Sequence, residues 1–322
     1  MMPKDSPQPR PLPDLSELNR QDWQTALRAH CEDVGDYIEL DPDHHIIQVG
    51  SGARLLVTFE SAYDIRNNHD LALPHGLTLA REDLDATVMV VLCQRPTWFR
   101  APAIYAFFDA LTDEGVFDDY DHVCFFGAGL GGYAAAAFSV AAPGADVIAI
   151  SPQATLDPRM TEWDPRFVGM RKRSFSDRYG YAPEMAQAAR HLLVLYNPDE
   201  ELEAMHAALF ARPSDPTGLT RFRCRYLGRD LPSVMEDLRI LPDAIKLGLD
   251  GKLDLTRFAQ LFRRRRDYAP YLRQLLKEVE ELDRPKLITW LAGSSLKRKP
   301  MPAMRRALKR VAEREKAASA AE

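Results

Sequence analysis

The sequence predicts an α/β protein: a mostly parallel β-sheet flanked by helices, followed by an all-helical C-terminal extension. Three observations predict it. From about residue 45 to residue 227, short apolar runs of strand length alternate with segments of helical spacing, which implies parallel strands covered on both faces. One run, residues 122–126, opens into four glycines in six residues, Gly127-Ala128-Gly129-Leu130-Gly131-Gly132, and then an Ala-rich helix. That is a strand, a tight turn and a helix lying close against the strand. From about residue 233 no strand-like run remains.

The chain of 322 residues has length for one large domain and an appendage. No run approaches the roughly 20 apolar residues of a membrane span, and no apolar leader segment opens the chain. Cys31, Cys93, Cys124 and Cys224 lie far apart and form no C-x-x-C pair. They read as core thiols in a reducing compartment, with the cytoplasm expected and neither a metal nor a cofactor implied. Charge is unevenly spread. Residues 251–322 carry 19 Lys and Arg against 9 Asp and Glu, a net +10, which leaves −15 on the remainder and −5 overall. An acidic body carries a basic tail.

In order, residues 1–18 contain five prolines among polar residues and read as a disordered arm. Residues 22–33 have helical spacing, with Asn19 as N-cap. Residues 44–49 and 54–59 flank Gly50-Ser51-Gly52, which suggests a hairpin. Asp41-Pro42-Asp43-His44-His45 reads as a turn rather than a metal cluster. Residues 55–59 and 87–93 are buried strands. Trp98-Phe99-Arg100 follows the second in a loop, where Trp98 either lines a pocket or caps the core. Residues 102–112 form a helix. Residues 146–150 and 191–196 are strands, separated by a polar and aromatic excursion over the sheet, and 221–227 is an edge strand. Helices are expected over 234–249, 255–266, 271–282, 286–292 and 300–316. The division drawn is an arm 1–18, an α/β domain 19–232 and a basic helical extension 233–322.

The glycine turn has more than one reading. Gly127-x-Gly129-x-x-Gly132 fits a dinucleotide fingerprint in spacing, but the next strand ends in Ser151-Pro152-Gln153 with no acid for a ribose. The glycines also serve close helix–strand packing alone. The third reading is the strand-turn-helix that presents a nucleophile on the pattern G-x-S-x-G, written here Gly127-Ala128-Gly129-Leu130-Gly131.

Taken with Val57-Thr58-Phe59, Trp98, the string Ala149-Ile150-Ser151-Pro152-Gln153 and residues 197–206, the turn resembles one branch of the α/β-hydrolase superfamily. That branch is associated with glycan biosynthesis and includes acyltransferase- and esterase-like proteins. The resemblance covers roughly residues 45–240. It implies a nucleophile elbow at Gly129 and an oxyanion site formed by Leu130 and the Phe59-Glu60-Ser61 loop. It further implies an acid at Asp199 and a histidine after the last strand. The chemistry departs from that pattern. The nucleophile position is glycine, and the loop after the last strand reads Gly228-Arg229-Asp230. The last histidine is His206, early for the base. Ser151 and Ser139 are the substitutes for the nucleophile, though neither is expected on a strained turn. Chains resembling this one are sometimes labelled phosphoadenosine phosphosulfate reductase. That family uses S-G-G-x-D-S and E-C-G-x-H, and neither string occurs here.

The expectation is therefore a degenerate hydrolase fold, binding or regulatory, that holds a small anionic or acylated ligand among Phe59, Glu60, Trp98, Arg100, Gly129, Leu130, Ser151 and Gln153. The alternatives are an acyltransferase or esterase with a displaced nucleophile, and an interaction protein that docks residues 296–322 on an anionic surface or acidic partner.

Overall fold

A computed structural model describes residues 11–81, 85–211 and 219–319. Eight strands form one sheet: β1 (Gly35–Asp41), β2 (His44–Val49), β3 (Arg54–Ser61), β4 (Ala86–Cys93), β5 (His122–Ala128), β6 (Asp146–Ile150), β7 (His191–Tyr196) and β8 (Leu219–Arg223), in the order β1-β2-β4-β3-β5-β6-β7-β8. The pairs β1/β2 and β2/β4 are antiparallel and the other five are parallel. The helices are α1 (Arg20–Val34), α2 (Ala62–Asn68), α3 (His75–Leu79), α4 (Pro102–Asp113), α5 (Leu130–Phe138), α6 (Pro158–Thr161), α7 (Ala182–Met185), α8 (Glu201–Leu209), α9 (Leu231–Asp237), α10 (Ile240–Leu249), α11 (Leu255–Leu261), α12 (Ala269–Glu281), α13 (Pro285–Arg298) and α14 (Pro302–Ser319).

The expected hairpin between residues 44–49 and 54–59 does not form. β4 lies between β2 and β3, and β3 pairs with β4 and β5 in parallel. The hairpin is instead β1–β2, turned by Asp41, whose carboxylate accepts the N–H groups of Asp43 at 2.8 Å and His44 at 3.0 Å. β1 lacked a clean alternation in the sequence, because as an edge strand it is mostly exposed. Asn19 caps α1 as expected, its side chain accepting from Gln21 and Asp22.

One face of the sheet buries α4, α5 and the excursion 151–190; the other buries α1 to α3 and α9 to α11. Two expected boundaries move as a result. Met235, Ile240, Ile245 and Phe258, expected in the extension, pack with Leu231 in the core of the body. Among the described residues, α12 to α14 alone have a core of their own, around Leu272, Leu276, Ile288, Ala292, Met304 and Val311. At the other end, residues 1–10 lie outside the described residues. Leu15 is no part of a free arm: it is buried, and its N–H donates to Leu71 O at 3.0 Å.

The register sets the site. Phe59 pairs with Val91 on one side and Gly127 on the other, and Gly127 pairs with Ala149. The carboxyl ends of β3, β5 and β6 therefore finish together. After β3 the chain crosses to β4 on one side and then returns to β5 on the other. A crevice at such a reversal, outside the carboxyl ends, is where open parallel sheets hold ligands.

Candidate functional site

Gly129 is the only residue between β5 and α5, with φ 55° and ψ −118°. Glycine reaches this conformation at little cost and other residues rarely do. Its N–H donates to Ile150 O at 2.8 Å, and its carbonyl accepts from Tyr133 at 3.0 Å. A Cβ built on Gly129 would meet nothing within 4 Å. Its glycine neighbours differ. A Cβ on Gly127 would lie 2.2 Å from Gly131 O, and one on Gly131 would lie 2.1 Å from Phe59 O. Gly127 and Gly131 are glycines because backbone passes there. Gly129 is at the apex, facing space.

That space is a cavity of about 540 Å³. Of the expected site residues, Phe59, Glu60, Gly129, Leu130 and Ser151 line it. Glu60 is already engaged. Its carboxylate accepts from Thr58 Oγ1 at 2.7 Å, from His75 N at 2.5 Å and from Gly76 N at 2.8 Å, so it ties the end of β3 to the start of α3. Ser151 has φ 45°, a strained value for a residue with a Cβ, contrary to the expectation for this position. Its hydroxyl donates to Glu203 Oε2 at 2.7 Å. Burial raises the Glu203 carboxyl above its ordinary pKa, against the pull of that hydrogen bond. Ser139 is buried elsewhere, donating to Ala136 O.

Trp98, Arg100 and Gln153 are not in the cavity lining. Trp98 Nε1 donates to Gln153 Oε1 at 3.0 Å, and its ring packs on Phe167. Trp98 is 4% exposed, so of its two readings the core-capping one holds. The Arg100 guanidinium is bound to Asp177 and to the carbonyls of Ser174 and Arg178, and it lies over the rings of Tyr105 and Phe175. These side chains fasten the excursion to the sheet.

Neither Asp199 nor His206 reaches the cavity. Asp199 is a partly exposed carboxylate 3.3 Å from Arg225 Nε. His206 is fully buried. Its Nδ1 accepts the N–H of Ala154 at 3.2 Å, so its proton is on Nε2, which donates to Asp164 Oδ2 at 3.0 Å. Burial lowers its pKa and keeps the ring neutral.

Sequence reasoning missed the histidine that does line the cavity. His75 enters from α3, long before the position the family order gives to the base, beside Glu236 from α9. His75 Nε2 lies 2.8 Å from Glu236 Oε2, so the imidazole and the carboxyl are paired on the cavity wall. Burial holds the imidazole pKa down at about 3 and raises the Glu236 carboxyl. The His75 ring also contacts Phe126 on β5 and His69. A hydrophobic-to-polar segment ending in Pro74-His75-Gly76 gave no signal that its histidine would fold back over the sheet.

The four cysteines are buried. Burial pushes the thiols of Cys31 and Cys93 up to about 12 and raises those of Cys124 and Cys224 as well. A reductase thiolate requires the opposite environment, accessible and electropositive. Among the described residues no group of three or more His, Cys, Asp or Glu is arranged to hold a metal ion.

An eight-stranded sheet with its second strand antiparallel and a glycine-framed elbow after the fifth decides the architecture. The fold is that of an α/β hydrolase. No protein-family model and no curated protein sequence matches the chain. Among solved structures it is similar to a capsule O-acetyltransferase of Neisseria meningitidis serogroup A, at 10% identity and a TM-score of 0.42, covering 65% of this chain and 94% of that one. A thermostable carboxylesterase cloned from a metagenomic library matches at 12% identity and a TM-score of 0.43, over 74% of this chain and 98% of that one. A glycosylation-associated protein complex from Streptococcus agalactiae matches at 13% identity and a TM-score of 0.46; the match covers 68% of this chain and 47% of that one. No helix among the described residues is long and apolar enough to cross a membrane.

Proposed function

We propose that this chain is a catalytically degenerate α/β-hydrolase-fold protein that binds a small molecule in the elbow cavity. The observation that carries the reading is Gly129: the turn keeps its strained backbone and opens on a cavity, but no side chain is there to attack a substrate. A cavity of this size suits a small ligand. The expected anionic ligand is set aside on charge. The lining includes Glu60, Asp64, Asp70, Glu203, Asp230, Glu236 and Asp237, and the single arginine there among the described residues, Arg229, is paired with Glu200 at 2.9 Å. A lining so rich in carboxylates repels a carboxylate or sulfate. The apolar part of an acylated ligand still fits, against Phe59, Ile65, Phe126 and Leu241.

The rival within the same cavity is Ser151 as a displaced nucleophile. Its partner is a carboxylate, a poor base for an alcohol. The test is turnover of p-nitrophenyl acetate and butyrate, together with calorimetric binding of eight-carbon probes, for wild type and for Ser233→Trp, which fills the cavity from its rim. The expected result is no turnover, and saturable binding that Ser233→Trp removes. Turnover by wild type overturns the reading, and its loss in Ser151→Ala would then assign the nucleophile.

A second reading concerns the tail. Trp290 is 71% exposed at the middle of the outer face of α13, with Lys286 and Lys297 on the same face and Leu287 beside it. An exposed tryptophan between lysines suits the headgroup layer of an anionic bilayer. Co-sedimentation with phosphatidylserine vesicles is expected to fall with salt and on Trp290→Ser. Equal recovery of wild type and variant would remove this reading.

A further inference from the structure

Two neighbouring histidines on β2 face opposite sides of the sheet, in opposite surroundings. His44 is satisfied at both ring nitrogens: Nδ1 lies 2.9 Å from the Asp41 carboxylate and Nε2 lies 2.7 Å from Thr97 Oγ1. His45 is equally buried and is satisfied at neither. The register identifies its neighbours. His45 pairs with Glu39 on β1 and with Leu92 on β4, and side chains two apart along a strand share a face. Tyr37 and Gln94 are therefore on the same face as His45, and the Tyr37 ring lies 5.4 Å from the imidazole, centroid to centroid. α1 covers this face with Trp23, Leu27 and Cys31. Among the described residues, Tyr37 Oη, both ring nitrogens of His45 and both polar atoms of the Gln94 amide are buried with no hydrogen-bond partner. A buried polar atom without a partner costs stability, and five of them share this one patch under α1.

If α1 lifts, water reaches these side chains and His45 is free to take a proton. The groups around it decide the response. Burial pushes the Cys31 thiol on α1 and the Tyr37 hydroxyl on β1 up to about 12, so both stay neutral near pH 6. Burial also lowers the pKa of His45, and the nearby His44 and Arg28 act in the same direction. Glu39 and Asp41 oppose this but do not outweigh it; Glu39 is half-exposed and shared with Arg28 at 3.8 Å, and Asp41 is bound to His44. A histidine whose pKa is lowered by packing stabilises the packed state above about pH 6.5 and works against it as pH falls below that. We propose that His45 makes α1 an acid-sensitive latch, its protonation on mild acidification releasing α1 from the β1–β2 edge of the sheet. The latch reaches the elbow cavity. Trp23 Nε1 donates to Ala72 O at 2.7 Å, and Leu71 and Leu73, on either side of Ala72, line the cavity, so an α1 that lifts removes the support of that wall. A control of ligand binding by pH rests on the binding function proposed above; the latch itself does not.

The experiment is hydrogen exchange of the full chain, read by mass spectrometry between about pH 7.5 and 5.5, each rate divided by that of the unstructured sequence at the same pH. Protection of α1 is expected to fall about 10-fold over that range, the shift for a histidine that titrates near 6.5 only when α1 is open. Residues 69–79 should follow, and α5, packed on the other face of the sheet, should keep its protection. His45→Gln and, separately, His45→Phe, neither of which takes a proton, should flatten the response of α1; thermal melting checks that each variant folds. His30, the other histidine of α1, stays in place in both. An unchanged response in the variants overturns the latch and assigns the effect to His30 or another group. An equal fall at α5, or no fall at α1 in the wild type, overturns it as well. A response at α1 that residues 69–79 do not share overturns the reach to the cavity wall and leaves the binding reading standing.

Discussion

Two polar clusters meet at the end of the parallel strands, and the same short segments supply both. In residues 151–154, the Ser151 hydroxyl turns to Glu203 in the cavity, while Gln153 holds Trp98 and the Ala154 N–H holds His206. On α8, Glu203 faces the cavity and His206, three residues on, faces the interior. The interior cluster is closed. Asp164 is bound by Arg166 and His206, and Arg100 by Asp177 and two carbonyls. The cavity cluster faces open space, with the His75–Glu236 and Ser151–Glu203 pairs both in the cavity lining. Both clusters contain a histidine beside a carboxylate, so residue type does not separate them. Setting does: a saturated network enclosed in the interior holds structure together, whereas polar pairs on a cavity wall keep a face that a ligand can reach.

The comparison can be broken at either cluster. The largest effect is expected from Asp164→Ala, which leaves Arg166 and the His206 N–H without their acceptor; a loss of about 3 kcal/mol is expected by urea denaturation. A loss below about 1 kcal/mol would mean the interior cluster is not the strut described. Next comes the elbow. Gly131→Ala puts a Cβ 2.1 Å from Phe59 O, and overpacking of this kind should cost about 2 kcal/mol. Gly129→Ser meets no such contact and pays only backbone strain, about 1 kcal/mol. It should turn over no short-chain aryl ester, since burial holds the His75 pKa at about 3 and leaves the imidazole too weak a base to take the hydroxyl proton. Clear turnover by that single variant would show His75 acting as its base.

A smaller effect sharpens the comparison through pH. The folded-state pKa of His75 is about 3, below the 6.5 of an exposed histidine, so the unfolded chain binds the extra proton first. Its contribution is present above about pH 6.5 and is lost as pH falls toward 3. The raised carboxyls of Glu203 and Glu236 run the other way, losing their contribution as pH rises through their folded values. Melting temperatures of wild type and His75→Gln between pH 7 and 4 should show a shallower fall in the variant. Parallel curves would mean that His75 does not titrate with folding. The smallest effect is that of Glu236→Gln, within about 0.5 kcal/mol of wild type, as expected of a side chain that is not part of a closed network.

The strands and the elbow were legible because strong local signals fix them: β6 and β7 have the limits their apolar runs predict, and the glycines at 127 and 131 have no steric alternative. The order of β2, β3 and β4 was not legible, because Gly50-Ser51-Gly52 suits a crossover start as well as a hairpin. The α9–α11 region looked like an appendage because helices give no sign of which core they cover. Five of the eight expected ligand-site residues meet in the cavity: Phe59, Glu60, Gly129, Leu130 and Ser151. Trp98, Arg100 and Gln153 went to the closed cluster, and His75 and Glu236 arrived from α3 and α9, 161 positions apart in sequence, a pairing no local pattern announces. The tail was legible in charge but not in packing. Deleting 296–322 to test docking would also strip Met301, Met304, Ala307 and Val311 from the small core, so single changes at Trp290 give the cleaner answer.

The placement of the cysteines gives the molecule a built-in reporter. Cys93 is in the core on one face of the sheet, and Cys31, Cys124 and Cys224 are in the core on the other; α12 to α14 contain none. An alkylating reagent needs a thiolate it can reach, so mass-spectrometric labelling of the native chain times the opening of the body and stays silent when the C-terminal helices alone come undone. The two halves of the molecule can thus be clocked apart without adding a probe to either.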